Sequence, residues 1–160
     1  MTGSADRVPP NPISQGVLEQ ADLCTFNWNT RDGWPMGTTV AFQWIDEKLW
    51  FSMDKSEARV RAIQRDPRVS LVLRAPGQSV TVKGRCEFAD DLEVKRVVYR
   101  ATAEKVARLS EGTPVPDDYA QYLEGKGSVV FEVIPEKWIA FDGRDGSVST
   151  SPPSPPRSGE

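Results

Sequence analysis

The sequence predicts a small antiparallel β-barrel of roughly six strands, with helices covering its ends. Short apolar runs alternate with turns rich in Gly, Asn, Asp and Pro, which is typical of consecutive strands. Helical spacing of apolar residues interrupts this pattern between the third and fourth strands and again between the fifth and sixth. A chain of 160 residues is one domain by length and can bury a continuous core.

The first third of the chain predicts one helix followed by three strands. Residues 11–22 place apolar side chains at helical spacing. Strands are predicted at 23–29, 36–45 and 49–53, with a hairpin turn at 30–33 that is rich in residues tolerating positive φ. Three consecutive strands joined by short turns favour an antiparallel meander, in which each strand pairs with the next.

A capped helix is predicted after the third strand. Asp54 and Glu57 are three residues apart, which is the spacing of a capping box, so we expect the helix to begin near Lys55 and to end at Arg65. The dipeptide Asp-Pro then stops the helix. Two further strands are predicted after this break, at 69–73 and 79–88.

The second half predicts two more helices and the end of the sheet. A long amphipathic helix is opened by Asp90 and Asp91 and keeps its apolar face as far as Leu109. A short helix and a strand interrupted by Pro are then predicted at 117–123, 128–134 and 138–141. By composition, residues 1–12 are expected to be a flexible N-terminus, 13–142 the folded domain, and 143–160 a disordered tail rich in Pro and Ser.

Composition excludes several classes of function. The formal net charge is −3, which does not favour nucleic acid as a partner. No apolar run approaches the ~18 residues needed to cross a bilayer, and the first residues lack an apolar signal-peptide core, so we expect no membrane association and a cytoplasmic protein. Cys24 and Cys86 lie in separate strand-like runs and are expected to be buried free thiols, with a redox pair as the alternative.

The sequence contains no histidine. Ser-His-Asp, Cys-His and His-based metal chemistry are therefore excluded, and two scattered cysteines do not favour a structural zinc site, so no metal is predicted. No catalytic side chain is assigned. Catalysis would have to come from carboxylates, hydroxyls, lysines or a bound cofactor.

Cations cluster at the start of the capped helix. A helix N-terminus with free amides attracts phosphate or carboxylate, and Lys55, Arg59 and Arg61 add positive charge there. Arg59 and Arg61 lie about 200° apart on an ideal helix, so both need not face one ligand, and Arg59 is favoured because it lies one turn from the cap. The alternative is that these side chains are solvated charges on an exposed face.

The residues 24–88 resemble the pyridoxamine 5′-phosphate oxidase-like superfamily of flavin- and deazaflavin-binding split β-barrels. The resemblance lies in a turn of the form DGxP at 32–35, a strand containing GTTV at 37–40, and the run ARVRAIQRDPRVSLVL at 58–73. It implies a six-stranded antiparallel split β-barrel of the FMN-binding type, forming a homodimer with a cofactor groove at the subunit interface.

The resemblance also implies the residues that bind the cofactor. The second strand would lie along the ring system, the third strand and the following helix would bind the phosphate, the fifth strand would add contacts, and a C-terminal tryptophan would close the groove from the partner subunit. In this sequence these are Gly37, Thr38, Thr39, Val40, Ser52, Lys55, Arg59, Arg61, Gln78, Ser79 and Trp138.

The implied activity is that of an oxidoreductase using FMN or coenzyme F-420, a deazaflavin, to transfer hydride to or from a small organic molecule. The C-terminal substrate motif of the oxidase itself, with Arg and His, is missing, which disfavours oxidation of pyridoxamine phosphate. Lys83 and Arg85 could serve the longer anionic tail of the deazaflavin or could be solvated. The alternative function is a non-catalytic protein that stores or senses a cofactor or tetrapyrrole in the same groove.

Overall fold

The protein was analysed as a computed structural model that describes residues 8–151. One sheet dominates this part of the chain, and four helices pack on it. In chain order the elements are α1 (Pro12–Gln20), β1 (Leu23–Asn29), β2 (Pro35–Ala41), β3 (Gln43–Ile45), β4 (Lys48–Met53), α2 (Ala58–Arg65), β5 (Arg68–Ala75), β6 (Gln78–Phe88), α3 (Leu92–Leu109), α4 (Tyr119–Gly125), β7 (Val129–Asp142) and β8 (Ser147–Ser151).

The sheet is antiparallel and curled. Its order is β2-β1-β5-β6-β7-β4-β3, and β8 pairs with β7 beside this path. The strands at the two ends of the path, β2 and β3, are consecutive in the chain and are separated only by Phe42. The sheet must therefore bend round so that its ends meet, which confirms a mainly β fold of the split-barrel type, with seven strands on the path where six were expected.

The core lies on the concave face of the sheet. Directly paired residues of an antiparallel ladder share a face, so Phe26, Phe51 and Phe131 project inward from β1, β4 and β7. Their rings lie 5.3–5.9 Å apart, centroid to centroid. Val17 and Leu18 of α1 belong to the same apolar cluster, so α1 closes one end of the barrel.

The predicted three-stranded meander is wrong. The run 36–45 is two strands, because the chain bends at Phe42: β2 pairs with β1 and β3 pairs with β4. The two hairpins therefore lie at opposite ends of the sheet path. Local turn signals identified both hairpins correctly, but they carry no information about which hairpin pairs with which.

The helix after β4 begins later than predicted. Asp54 and Glu57 make one of the two contacts of a capping box: Asp54 N donates to Glu57 Oε1 at 3.3 Å, whereas Asp54 Oδ1 accepts from Ser56 N at 2.9 Å and Glu57 N donates to Asp54 O. These bonds close a turn, however, because the backbone of Glu57 is extended at φ −65° and ψ 139°. Glu57 is therefore the N-cap, and α2 begins at Ala58.

Other boundaries shift by a few residues. The helix predicted at 11–22 spans Pro12–Gln20, and that predicted at 117–123 spans Tyr119–Gly125. The two predicted C-terminal strands are one strand, β7, which continues through Pro135. Pro135 lies opposite Gly84, where the ladder with β6 shifts register, so the bulge accommodates a residue without an N–H.

The prediction of a disordered tail is wrong for Ser147–Ser151, which forms β8. The turn before it is held by Asp142, whose carboxylate accepts from Arg144 Nη2 at 2.6 Å and from Gln78 Nε2 at 3.3 Å. Backbone pairing with β7 therefore orders a segment of low apolar content. The remaining terminal predictions fall on 1–7 and 152–160, which lie outside the described residues.

The cysteines are free and buried, as predicted. Desolvation raises the pKa of both Cys24 and Cys86 to about 12, so the two thiols stay protonated at neutral pH. Among the described residues, none of the helices has the length and apolar character required to cross a membrane.

Candidate anion-binding pocket at the sheet seam

A pocket of about 400 Å³ lies where the two ends of the curled sheet approach each other. We call it the seam pocket. Its walls come from the last residues of β2, from β4, from the turn and first residues of α2, and from α3 and α4. The lining residues are Thr39, Val40, Ala41, Trp50, Ser52, Met53, Asp54, Glu57, Arg59, Thr102, Val106, Tyr119, Tyr122, Leu123, Lys126 and Ser128.

Strand register explains why these side chains meet. Trp50 and Ser52 alternate with the core residues Leu49, Phe51 and Met53, so they project from the outer face of β4. Helices α3 and α4 cover that face, with Val98, Tyr99, Leu123 and Val130 forming a second apolar cluster against Trp50. The pocket is the space left between this helical cover and the free edge of β2.

Two polar groups of the pocket are suited to an anion. Ser52 Oγ is buried and has no hydrogen-bond partner among the described residues, so it can donate a hydrogen bond to an acceptor atom of a ligand. The side chain of Arg59 is only 19% exposed and contacts the carboxylate of Glu57 through Nε. A buried hydroxyl and a mostly buried guanidinium that line one pocket fit the binding of a phosphate group.

A second cation lies at the rim of the pocket. Lys126 Nζ is 3.2 Å from Asp54 Oδ2 and 5.1 Å from the centroid of the Tyr122 ring. Tyr122 stacks on Tyr119 with centroids 5.6 Å apart. Hydrogen bonds from Ser56, followed by the bond from Lys126, lower the pKa of Asp54 to about 2, so its carboxylate is charged at any physiological pH.

The structure brings together four of the residues implicated by the family resemblance. Thr39, Val40, Ser52 and Arg59 all line the seam pocket, although they come from three separate segments. Ser52 and Arg59 are the pair with the polar groups described above. Thr39 and Val40 form the wall contributed by the edge strand.

Other implicated residues lie outside the pocket lining. Gly37 and Thr38 are further along β2, towards its exposed start. Lys55 extends beside Gly127, where Nζ is 3.3 Å from the position that a Cβ would take on that glycine. Arg61 is exposed and donates from Nη1 to Ser56 O at 3.4 Å. Of the three cations predicted for the start of α2, only Arg59 therefore faces the pocket.

The remaining implicated residues lie in other parts of the sheet. Gln78 bonds to Asp142, and Ser79 pairs with Phe141 across β6 and β7. Trp138 is 2% exposed and belongs to the core, a position that does not support a role in closing a groove on a partner. Lys83 is exposed on the outer face, and Arg85 pairs with Glu136 at 2.5 Å.

Sequence reasoning missed the contribution of α3 and α4. Tyr119, Tyr122 and Lys126 reach a pocket whose other residues are far away in the chain, as in the contact of Lys126 with Asp54, 72 residues away. The tyrosines of a short helix could be noticed as a pair, but no local signal says which sheet face that helix covers.

A curled antiparallel sheet whose two ends approach each other, with a polar pocket between them, has the architecture of a split β-barrel. A family model described as pyridoxamine 5′-phosphate oxidase matches residues 14–142. The chain belongs to the pyridoxamine 5′-phosphate oxidase family, which confirms the predicted resemblance. No curated protein matches the sequence.

Solved structures show the same fold at low sequence identity. The conserved hypothetical protein Rv2991 from Mycobacterium tuberculosis is 19% identical with a TM-score of 0.69, covering 90% of this chain and 91% of that chain. A protein titled F420 reductase is 20% identical with a TM-score of 0.61, covering 81% and 98%. A heme binding protein from Mycobacterium smegmatis is 16% identical with a TM-score of 0.66, covering 94% and 58%.

Proposed function

We propose that the protein is a homodimeric oxidoreductase that binds FMN or coenzyme F-420 in the seam pocket and transfers hydride to or from a small organic molecule. The observation that carries this proposal is the buried Ser52 Oγ, which lacks a partner in the described structure and lies in one pocket with Arg59. Family membership and the similarity to an F420 reductase support it.

Different residues of the pocket lining bind different parts of the cofactor. Ser52 and Arg59 bind the phosphate of the cofactor, and Thr39 and Val40 on the edge of β2 lie along its ring system. A bound flavin or deazaflavin supplies the two-electron chemistry. The protein then needs only to orient a substrate and keep water out, which is compatible with a sequence that has no histidine.

Exposed apolar area on the sheet supports the homodimer. Large apolar side chains stay exposed on the sheet, such as Met36 of β2 at 48% and Phe141 of β7 at 43%. A second copy would bury this area. Gly37, Thr38, Gln78 and Ser79 remain predicted contacts, because they would meet a cofactor only if a partner subunit brought one to them.

Binding is tested by titrating the protein with FMN and with coenzyme F-420 and following ligand fluorescence. Removing Arg59 deletes a charged hydrogen-bond donor worth about 1.5–3 kcal/mol, so Arg59→Ala should weaken binding by roughly 10- to 150-fold. Arg61→Ala is the matched control, because it removes the same charge from the same helix but from an exposed position outside the pocket lining. Equal losses in both variants would reject the seam pocket as the phosphate site.

Activity and assembly are tested separately. Light scattering of the purified protein should give the mass of two chains. Reduced cofactor should be consumed in the presence of quinone, enone or tetrapyrrole acceptors. Tight binding without turnover of any acceptor would instead assign the pocket to storage or sensing of the cofactor.

A further inference from the structure

We infer that Glu57 and Asp54 are internal competitors for the two cations of the seam pocket, and that they make the pocket select a singly charged phosphodiester over a doubly charged phosphomonoester. This inference rests on the proposed function, because it concerns the same phosphate site. Asp54 and Glu57 oppose binding of the phosphate, whereas Ser52 and Arg59 favour it.

Glu57 occupies the place that a ligand phosphate would take. It is the N-cap of α2, and its Oε2 contacts Arg59 Nε. Its carboxylate therefore already uses the attraction of Arg59 that a phosphate would use, at the helix end where anions are favoured, although it makes no hydrogen bond to the helix amides. The hydrogen bond that its Oε1 accepts from Asp54 N is long, at 3.3 Å. A third of its side chain is exposed, so Glu57 can release Arg59 to a ligand by rotating, but as the N-cap of α2 it keeps its charge at the pocket.

Asp54 is held more firmly. Its Oδ1 accepts from both the backbone N and the Oγ of Ser56, at 2.9 and 2.7 Å, and its Oδ2 accepts from Lys126 at 3.2 Å. Moving this carboxylate would break the turn that precedes α2. Asp54 therefore stays in place when a ligand binds, and its negative charge remains beside the bound phosphate.

The charges that line the pocket cancel before any ligand enters. The charged lining residues are Arg59 and Lys126 against Asp54 and Glu57, which sum to zero. A dianion brings this sum to −2 and a monoanion to −1, so the second charge of a monoester meets a site with no remaining positive charge. FMN carries a phosphomonoester, whereas the phosphate of the deazaflavin coenzyme is a diester, so at the phosphate itself the two carboxylates favour the deazaflavin.

The test compares three flavins that share one ring system: FMN, riboflavin 4′,5′-cyclic phosphate and riboflavin. At pH 8 their phosphate groups carry charges of about −2, −1 and 0, because the second phosphate pKa is about 6. Glu57→Gln should raise the affinity for FMN roughly tenfold, raise that for the cyclic diester roughly threefold, and leave riboflavin unchanged. Glu104→Gln, an exposed position on α3 outside the pocket lining, is the control and should change none of the three.

Asp54→Asn gives a second, independent variant. Because Asp54 stays beside the ligand, its neutralisation should also favour FMN over the cyclic diester, with riboflavin again unchanged. Equal gains for all three flavins in both variants would show a general loosening of the pocket and would overturn the inference. An unchanged FMN affinity in both variants would overturn it as well.

A simpler probe separates this inference from the proposed function. Trp50 lines the pocket, so tryptophan fluorescence can follow the binding of inorganic phosphate and of dimethyl phosphate to the wild type and to Glu57→Gln. If no flavin or deazaflavin binds but Glu57→Gln binds inorganic phosphate several-fold more tightly, the proposed function fails and the inference stands. If the variant gains no affinity for inorganic phosphate, the inference fails whatever the cofactor does.

Discussion

Lys105 holds α3 to the bend that joins the two ends of the sheet. Its Nζ donates to the carbonyl oxygen of Phe42 and lies 4.4 Å from the centroid of the Phe42 ring. A second bond reaches Asp22 O at 3.3 Å. Phe42 separates β2 from β3, and the neighbours of Lys105 on α3, Thr102 and Val106, line the seam pocket. Lys105 thus connects Phe42, the residue that joins the two ends of the sheet, to the helix that forms a wall of the seam pocket.

Replacing this lysine should loosen both features. Lys105→Met keeps most of the apolar stem but leaves two carbonyl oxygens without their donor, so the free energy of unfolding in urea should fall by about 1–2 kcal/mol. The affinity for FMN should fall in the same variant, because α3 loses its contact with Phe42, while at this point the contact of Arg108 with Asp22 remains. Arg100→Met, exposed on the same helix, is the control. An unchanged unfolding midpoint would show that Lys105 contributes no net stability.

Ser52 should show opposite effects on stability and binding. Its Oγ is buried without a partner in the described structure, so Ser52→Ala removes a desolvated hydroxyl and should leave the ligand-free protein equally stable or up to about 1 kcal/mol more stable. The same change should weaken FMN binding. Thermal unfolding with and without FMN measures both effects in one experiment. A variant that is less stable without ligand would indicate that Ser52 has a structural partner instead.

Gly84 is required by a close approach of two strands. A Cβ at this position would lie 2.5 Å from Ile134 O and 2.9 Å from Val133 Cγ1, at the point where β6 and β7 shift register. Gly84→Ala should therefore destabilise the protein by about 1–3 kcal/mol, since strand backbone must move. Gly125→Ala is the matched control, because a Cβ there meets nothing within 4 Å at the end of α4. The control should be neutral or slightly stabilising in chemical denaturation.

Asp54 should contribute to stability in a pH-dependent way. Hydrogen bonds from Ser56 and then Lys126 lower its pKa from 3.8 to about 2 in the folded protein. A carboxylate with a lowered folded pKa stabilises above its unfolded pKa and loses that contribution as the pH falls through the folded value. The stability difference between wild type and Asp54→Asn should thus be constant above about pH 5 and shrink between about pH 4 and pH 2. A difference that does not change with pH would contradict this origin.

Local chemistry determined the kinds of element. Alternating apolar residues predicted β6, and Asp91 predicted the start of α3, where its carboxylate accepts from Glu93 N and Val94 N. Asp54 and Glu57 predicted a helix start near Lys55, where the structure instead has a turn that precedes α2. These features depend on contacts within a few residues, so a reader of the chain can recognise them. The cation cluster at the helix start predicted Arg59, and the family resemblance added Ser52; the seam pocket does bring the two together.

Only the tertiary structure decided which faces meet. The pairing of β4 with β7, the cover of α3 and α4 over Trp50, and the ion pair of Lys126 with Asp54 all join segments that are far apart in the chain. Local propensity is nearly the same for many pairings of strands and helices, and the choice among them comes from burying the apolar area of the whole chain. Asp54 illustrates the difference: its sequence position predicts a cap, whereas its bond from Lys126 joins residues 72 positions apart and exists only because α4 packs against the seam.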